Sequence, residues 1–125
     1  MVSDVNPKVL SASMLSGDSV KNRQGEDLGS IKDFMIDLNT GCVAYAVLSF
    51  GGFRGIGDKL FAVPWHALSL DTENRYFILD VDKELLRDAP GFDKDEWPDM
   101  ADETWGRGIH DFYGVRPYWE SSRKY

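Results

Sequence analysis

"LGSIKDFMIDLNTGCVAYAVLSF", residues 28–50, decides the fold. Two apolar runs flank Asp37, Asn39, Thr40 and Gly41. These residue types turn a chain sharply, because Asp and Asn side chains bond nearby backbone and glycine accepts positive φ. The stretch therefore predicts a β-hairpin. Its first arm alternates imperfectly: Ile31, Asp33 and Met35 share one phase, while Phe34, Ile36 and Leu38 share the other. A β-bulge or a strong twist is the expected cause of such a slip. The second arm is apolar on both phases, with Val43, Tyr45 and Val47 set against Ala44, Ala46, Leu48 and Phe50. A strand of that kind lies centrally, or has one face covered by something outside the sheet.

Working outward, "SVKN" predicts a short strand and "RQGED" a turn around Gly25. After the hairpin, "GGFRGIGDK", residues 51–59, predicts a glycine-rich loop between strands, and "KLFAV" a strand stopped by Pro64, which donates no ladder hydrogen bond. "WHALSL" turns and begins another strand, "DTEN" is a polar turn, and "RYFILDV" alternates, with Phe77, Leu79 and Val81 on one phase. "DKELLRDAPGF" predicts one or two helical turns capped by Asp82 and ended before Pro90. Residues 1–9 are expected to form a flexible arm, and "VLSASML" at its end a short extended lead-in. The fold class that follows is mainly β: a small barrel of about six short antiparallel strands, with a short helix and a helical or irregular C-terminal extension. Closure is favoured because it removes exposed edges.

With 125 residues the chain has room for one domain with a core. Hydrophobic residues are 42% and charged residues 28%, the composition of a globular protein rather than a disordered one. The formal net charge of −7, with scattered Lys and Arg, argues against a nucleic-acid partner, because phosphate binding needs clustered cations. No apolar run approaches the roughly 20 residues that cross a bilayer, and no signal peptide is visible, so a cytoplasmic location is expected. The lone Cys42 opens an apolar run and is expected to be a small, partly buried side chain. Composition shifts after Gly91: residues 91–125 hold three of the four tryptophans among many acids. A disordered acidic tail would seldom carry them. Met100, Trp105, Ile109 and Phe112 or Tyr113 recur near helical spacing, although Gly106 and Gly108 weaken that helix. This extension is expected to pack on the barrel or on a partner subunit.

"GEDLGSIKDFMIDLNTGCVAYAVLSFGGFRGIGDKLFAVPWHAL", residues 25–68, resembles the PRC-barrel family. The marks are a G-x-x-L-G-x-I-x-D opening, a D-x-x-T-G-x-V-x-Y-x-V-L hairpin, a G-x-G-x-K loop and a V-P-W exit. The resemblance covers roughly residues 10–90 and leaves 91–125 as an aromatic extension like that of some bacterial members. It implies a fold more than a task. Such barrels occur in the H subunit of photosynthetic reaction centres, in a ribosome-maturation factor, and as small stand-alone proteins, and this chain looks like the last of these. The family supplies no catalytic residues to carry over, and a fold alone does not specify a function.

The motifs of common chemistries fail here. Gly57 is followed by Asp58, and Lys59 by Leu60, so "GGFRGIGDK" is not a P-loop; Leu60 stands where a dinucleotide fingerprint needs its third glycine. "DKDEWPDMADE" places Trp97 and Pro98 where a calcium loop needs a ligand and a glycine, so a solvated acidic face is expected there. His66 is expected to be a structural or surface residue, and His110 to sit as an oriented pair with Asp111. No nucleophile accompanies either. Trp65 and Trp97 are expected to be core anchors. The sequence thus points to a non-enzymatic interaction or assembly module with no cofactor and no metal, self-associating as a dimer or larger and docking an unidentified protein. Candidate contact residues are Phe53 and Arg54 in the loop, and Trp105, Phe112 and Tyr113 in the extension. The alternative is a small-ligand or ion-binding protein that uses the glycine loop and acidic tail.

Overall fold

The computed structural model describes residues 9–51 and 58–121. The hairpin is its centre. Strand β2 (Asp27–Asp37) pairs antiparallel with β3 (Cys42–Gly51), and the turn between them is tied by Asp37, whose Oδ1 accepts the Asn39 N–H at 3.2 Å and whose Oδ2 accepts the Thr40 hydroxyl at 3.0 Å. The slipped alternation of β2 has its expected cause: the register shifts between Ile31 and Asp33, and again between Met35 and Ile36. On the far side of β3 lies β4 (Asp58–Pro64), which ends at Pro64 opposite Tyr45. Ala44 through Leu48 are all buried, as a strand flanked on both edges and covered on both faces requires.

The remaining strands are β1 (Ser19–Lys21), β5 (Leu68–Asp71) and β6 (Tyr76–Leu79), and the sheet runs β4-β3-β2-β1-β6-β5. Two details differ from the sequence expectation. The β1–β6 ladder is parallel, whereas the others are antiparallel. It forms because β2 already holds one edge of β1, and the chain returns from the β5–β6 hairpin onto the other edge. Among the described residues β4 and β5 share no ladder, so the sheet is a half-barrel rather than a hydrogen-bonded cylinder. A 3-10 turn, Trp65–Ala67, connects these two end strands. The outer edge of β4 is partly covered: Leu60 and Phe92 exchange backbone hydrogen bonds of 3.0 and 2.8 Å. That pairing blunts an edge that would otherwise offer free N–H and C=O groups.

The concave side holds the main core, with Val20, Leu28, Leu48, Phe61, Phe77 and Leu79 at its centre. "VLSASML" is not extended throughout: Ala12–Leu15 forms a single helical turn, α1, because the Ser11 hydroxyl accepts the Met14 N–H and Leu15 is drawn into the core. Helix α2 (Lys83–Arg87) is capped by Asp82 as its sequence predicts, and buries Leu86. Trp65 is half-buried and meets Phe34 and Phe77 edge-on, with ring centroids 6.0 and 6.2 Å away. Trp97 is not a core anchor. It is 40% exposed, its indole N–H donates to the Lys94 carbonyl at 2.8 Å, and its ring leans on Phe92. The polar turns around it form no element that could carry it inward.

Gly29 marks where β2 and β3 come closest. Its φ is +116°, and a Cβ there would collide with the Ser49 carbonyl. Gly25, in the preceding turn, has φ +86° and open space around it. Gly25→Ala should therefore cost only the left-handed penalty of about 1–2 kcal/mol. Gly29→Ala should cost clearly more, because backbone must also move. Urea unfolding of the two variants checks this, and equal losses would contradict the collision. Trp65→Ala should cost about 3 kcal/mol, the low end for a large aromatic, since the ring is only half-buried; an unchanged melting temperature would contradict its packing role.

Candidate interaction site

The second face of β3 is covered by the chain itself. Helix α3 (Glu103–Tyr113) starts at Asp102, whose carboxylate accepts the Thr104 N–H at 2.9 Å, and stops at Gly114, which is left-handed at φ 72°. Ile109 is its buried centre, and with Trp105 and Tyr113 it packs on Ala44, Tyr45 and Ala62 of the sheet. Gly106 does not break this helix but allows it to dock. A Cβ at Gly106 would lie 2.9 Å from the Tyr45 hydroxyl and 3.0 Å from the Trp119 ring, so a side chain there would force these two rings or the helix to shift.

After Gly114 the chain turns back into α4 (Tyr118–Ser121), and His110 joins the two helices. Its Nδ1 lies 2.7 Å from the Gly106 carbonyl, and its Nε2 accepts the Tyr118 N–H at 3.2 Å. A backbone N–H only donates, so Nε2 bears no proton and the tautomer carries its hydrogen on Nδ1. The sequence expectation of a His110–Asp111 pair is thus replaced by bonds to two backbone groups. The imidazole is buried at 1% exposure among the rings of Tyr45, Tyr118 and Trp119. Burial holds its pKa below the ordinary 6.5, with the Gly106 carbonyl bond, Asp111 and Glu120 opposing and His66 assisting. Burial likewise pushes the phenols of Tyr45 and Tyr113 well above their usual range. Both hydroxyls are enclosed without a hydrogen-bond partner among the described residues.

Three of the candidate contact residues fall on this internal seam. Trp105 is half-buried with its ring edge-on to Tyr45 at 5.5 Å; Phe112 and Tyr113 meet edge-on at 4.9 Å and pack against the main core. Phe53 and Arg54 lie outside the described residues. His66 is exposed on the 3-10 turn. The tail acids Asp99 and Asp102 accept backbone N–H groups of Ala101 and Thr104, so they shape local turns. Among the described residues no group of three His, Cys, Asp or Glu side chains is placed to hold a metal ion.

The open apolar surface lies elsewhere, beside the hairpin. A groove of about 350 Å³ is lined by Leu10, Leu15, Phe34, Ile36, Trp65 and Leu70 among others. Phe34 and Ile36 stand two apart on β2 and therefore face one side. Two of its lining residues are exposed, Val9 at 89% and Ile36 at 49%, and Leu38 in the turn after β2 is 91% exposed. Trp105, Phe112 and Tyr113 are not among its lining residues. The available signal was Leu38, an apolar residue inside an otherwise polar turn. A second hollow, lined by Gln24, Glu26, Asp80 and Asp82, is polar; Asn22 beneath it donates to Glu26 and to the Val81 carbonyl and accepts from Gln24 and Glu26 N–H groups.

The sequence matches the PRC-barrel domain over residues 7–86. The chain belongs to the PRC-barrel family. The match takes in all six strands, so the PRC-barrel unit is the sheet and its α2 flank, and α3 and α4 lie beyond it. Among solved structures, the chain is similar to RimM of Pseudomonas aeruginosa, provisionally described as a 16S ribosomal RNA processing protein. The identity is 18%, the TM-score 0.42, and the similarity covers 63% of this chain and 48% of that one. This PRC-barrel chain thus spans about half the length of that protein. No curated protein matches. No helix among the described residues is long and apolar enough to cross a membrane.

Gly106→Ala should be net destabilising by about 1–2 kcal/mol, as overpacking of about 1–3 kcal/mol outweighs the roughly 1 kcal/mol of regained helix propensity. Adding Tyr45→Phe removes the hydroxyl that the new methyl strikes and should recover part of the loss. Chemical denaturation of the single and double variants reads the coupling. Strict additivity would contradict the close approach.

Proposed function

We propose that this PRC-barrel protein is a non-catalytic assembly module of the cytoplasm that self-associates through the apolar groove beside the hairpin. The observation that carries this is an apolar groove whose own lining residues stand open to solvent. Val9 and Ile36 line the groove and are 89% and 49% exposed, and Leu38 in the turn that follows β2 is 91% exposed. A two-fold contact between identical chains buries the same exposed apolar patch on both partners. Exposed apolar patches of this kind mark interaction sites. Within this reading, residues 10–90 are the barrel domain, and 91–125 an extension whose Trp105, Phe112 and Tyr113 hold α3 on the sheet. Phe53 and Arg54 are offered as further contacts for a protein partner.

Sedimentation or light scattering should give about twice the 14.1 kDa chain mass, and Leu38→Glu with Val9→Glu should return it to the chain mass without lowering the melting temperature. A monomeric wild-type protein would overturn self-association. One observation favours a second reading: about 350 Å³ of mostly apolar hollow falls within the usual range for a small-molecule site. In that case the wild-type protein stays monomeric, and an apolar ligand raises its melting temperature by mass action.

A further inference from the structure

We propose that His110 is a proton-operated latch: protonation at Nε2 cuts its bond to Tyr118, releases α4 from α3, and bares the Tyr45 flank of the sheet. The geometry makes the imidazole a two-sided tie. Nδ1–H donates to the Gly106 carbonyl on its own helix, and Nε2 accepts the backbone N–H at the start of α4. An imidazolium donates at both nitrogens. Across the 3.2 Å gap to Tyr118, two N–H groups would then face each other, and the bond becomes a repulsion.

Side-chain contacts add to this bond in holding α4. Four residues are too few to persist as a free helix. The Arg107–Glu120 ion pair, 3.2 Å long, has half-exposed partners and contributes little. Ring contacts add to these: Tyr118 and Trp119 lean on His110, Tyr118 on Tyr45 at 5.6 Å, and the Arg107 guanidinium lies over the Trp119 ring at 5.4 Å.

The groups around the imidazole set the direction of the response. Asp111 on α3 and Glu120 on α4 favour the cation, and His66 opposes it. Tyr45 and Tyr118 stay neutral throughout the acid range, since burial raises both phenols. Burial of the imidazole outweighs the Gly106 carbonyl bond and the two carboxylates, so its folded pKa lies below 6.5. The open state then binds more protons than the closed one between that lowered value and 6.5. The latch is tightest above this window, loosens as pH falls through it, and changes no further below it.

The test is an NMR titration of the intact wild-type protein from neutral to acid pH, following the His110 ring nitrogens together with backbone amide exchange corrected for its intrinsic pH dependence. The expected result is a neutral Nδ1–H tautomer at neutral pH, and titration below 6.5. Over the same range, protection of the Tyr118 amide should fall about tenfold for each unit by which the ring pKa is lowered, while β3 amides keep theirs. His110→Gln, which carries no titrating ring, should show a Tyr118 protection that does not follow pH. Constant Tyr118 protection through the wild-type ring titration would overturn the latch, as would a ring that titrates at or above the ordinary histidine value. Both decide the matter even if His110→Gln does not fold.

Discussion

Strand β3 has two greasy faces, and everything around it answers that constraint. Tyr45 and Val47 point one way, Ala46 and Leu48 the other, and all four are sealed from water. Burying one such face is the ordinary work of a barrel core. Burying both requires a second layer, and α3 supplies it from the C-terminal extension. Hydrophobic burial contributes roughly 25 cal/mol for each Å² removed from water, so the gain grows with each covered face. The flanking strands follow from the same requirement, because the central strand's backbone polar groups also need partners. β2 and β4 provide them along the two edges.

That second layer is unusual in how tightly it is seated. The Tyr45 ring occupies the space where α3, His110 and α4 converge, and the helix answers with the smallest residue available, Gly106. The arrangement buries a phenol oxygen without a partner among the described residues, which costs free energy. Tight aromatic packing offsets that cost: three edge-on rings, those of Trp105, Tyr118 and Trp119, surround the Tyr45–His110 pair. The PRC-barrel match ends before any of these tail residues, so this layer lies outside the matched unit.

Much of this was legible in the residues. The hairpin, the slipped register of β2, the two-sided β3, the stop at Pro64 and the Asp82 cap all rest on local chemistry, and local chemistry decided them. The parallel β1–β6 ladder was not legible, because it is set by where the chain returns and not by either strand's own sequence. His110 was misplaced for a related reason. Its partners are backbone groups of Gly106 and Tyr118, and side-chain pairing rules see only Asp111 next door. Trp97 misled in the opposite way: a tryptophan suggests a core, but it follows polar turns that keep it at the surface. The groove escaped notice because its walls come from α1, β2, β5 and the 3-10 turn, which no single stretch brings together.

The parallel ladder has a consequence for how the molecule comes into being. Ser19 leaves the ribosome early, yet its partner Tyr76 must be synthesised before the two can pair. Closing so long a loop is entropically slow, and contacts of this range set the pace of folding. The β2–β3 hairpin is a local contact that needs no such closure, yet its outer face stays wet until α3 is made. The growing chain is thus stickiest at mid-length, and a nascent-chain chaperone would find its foothold there.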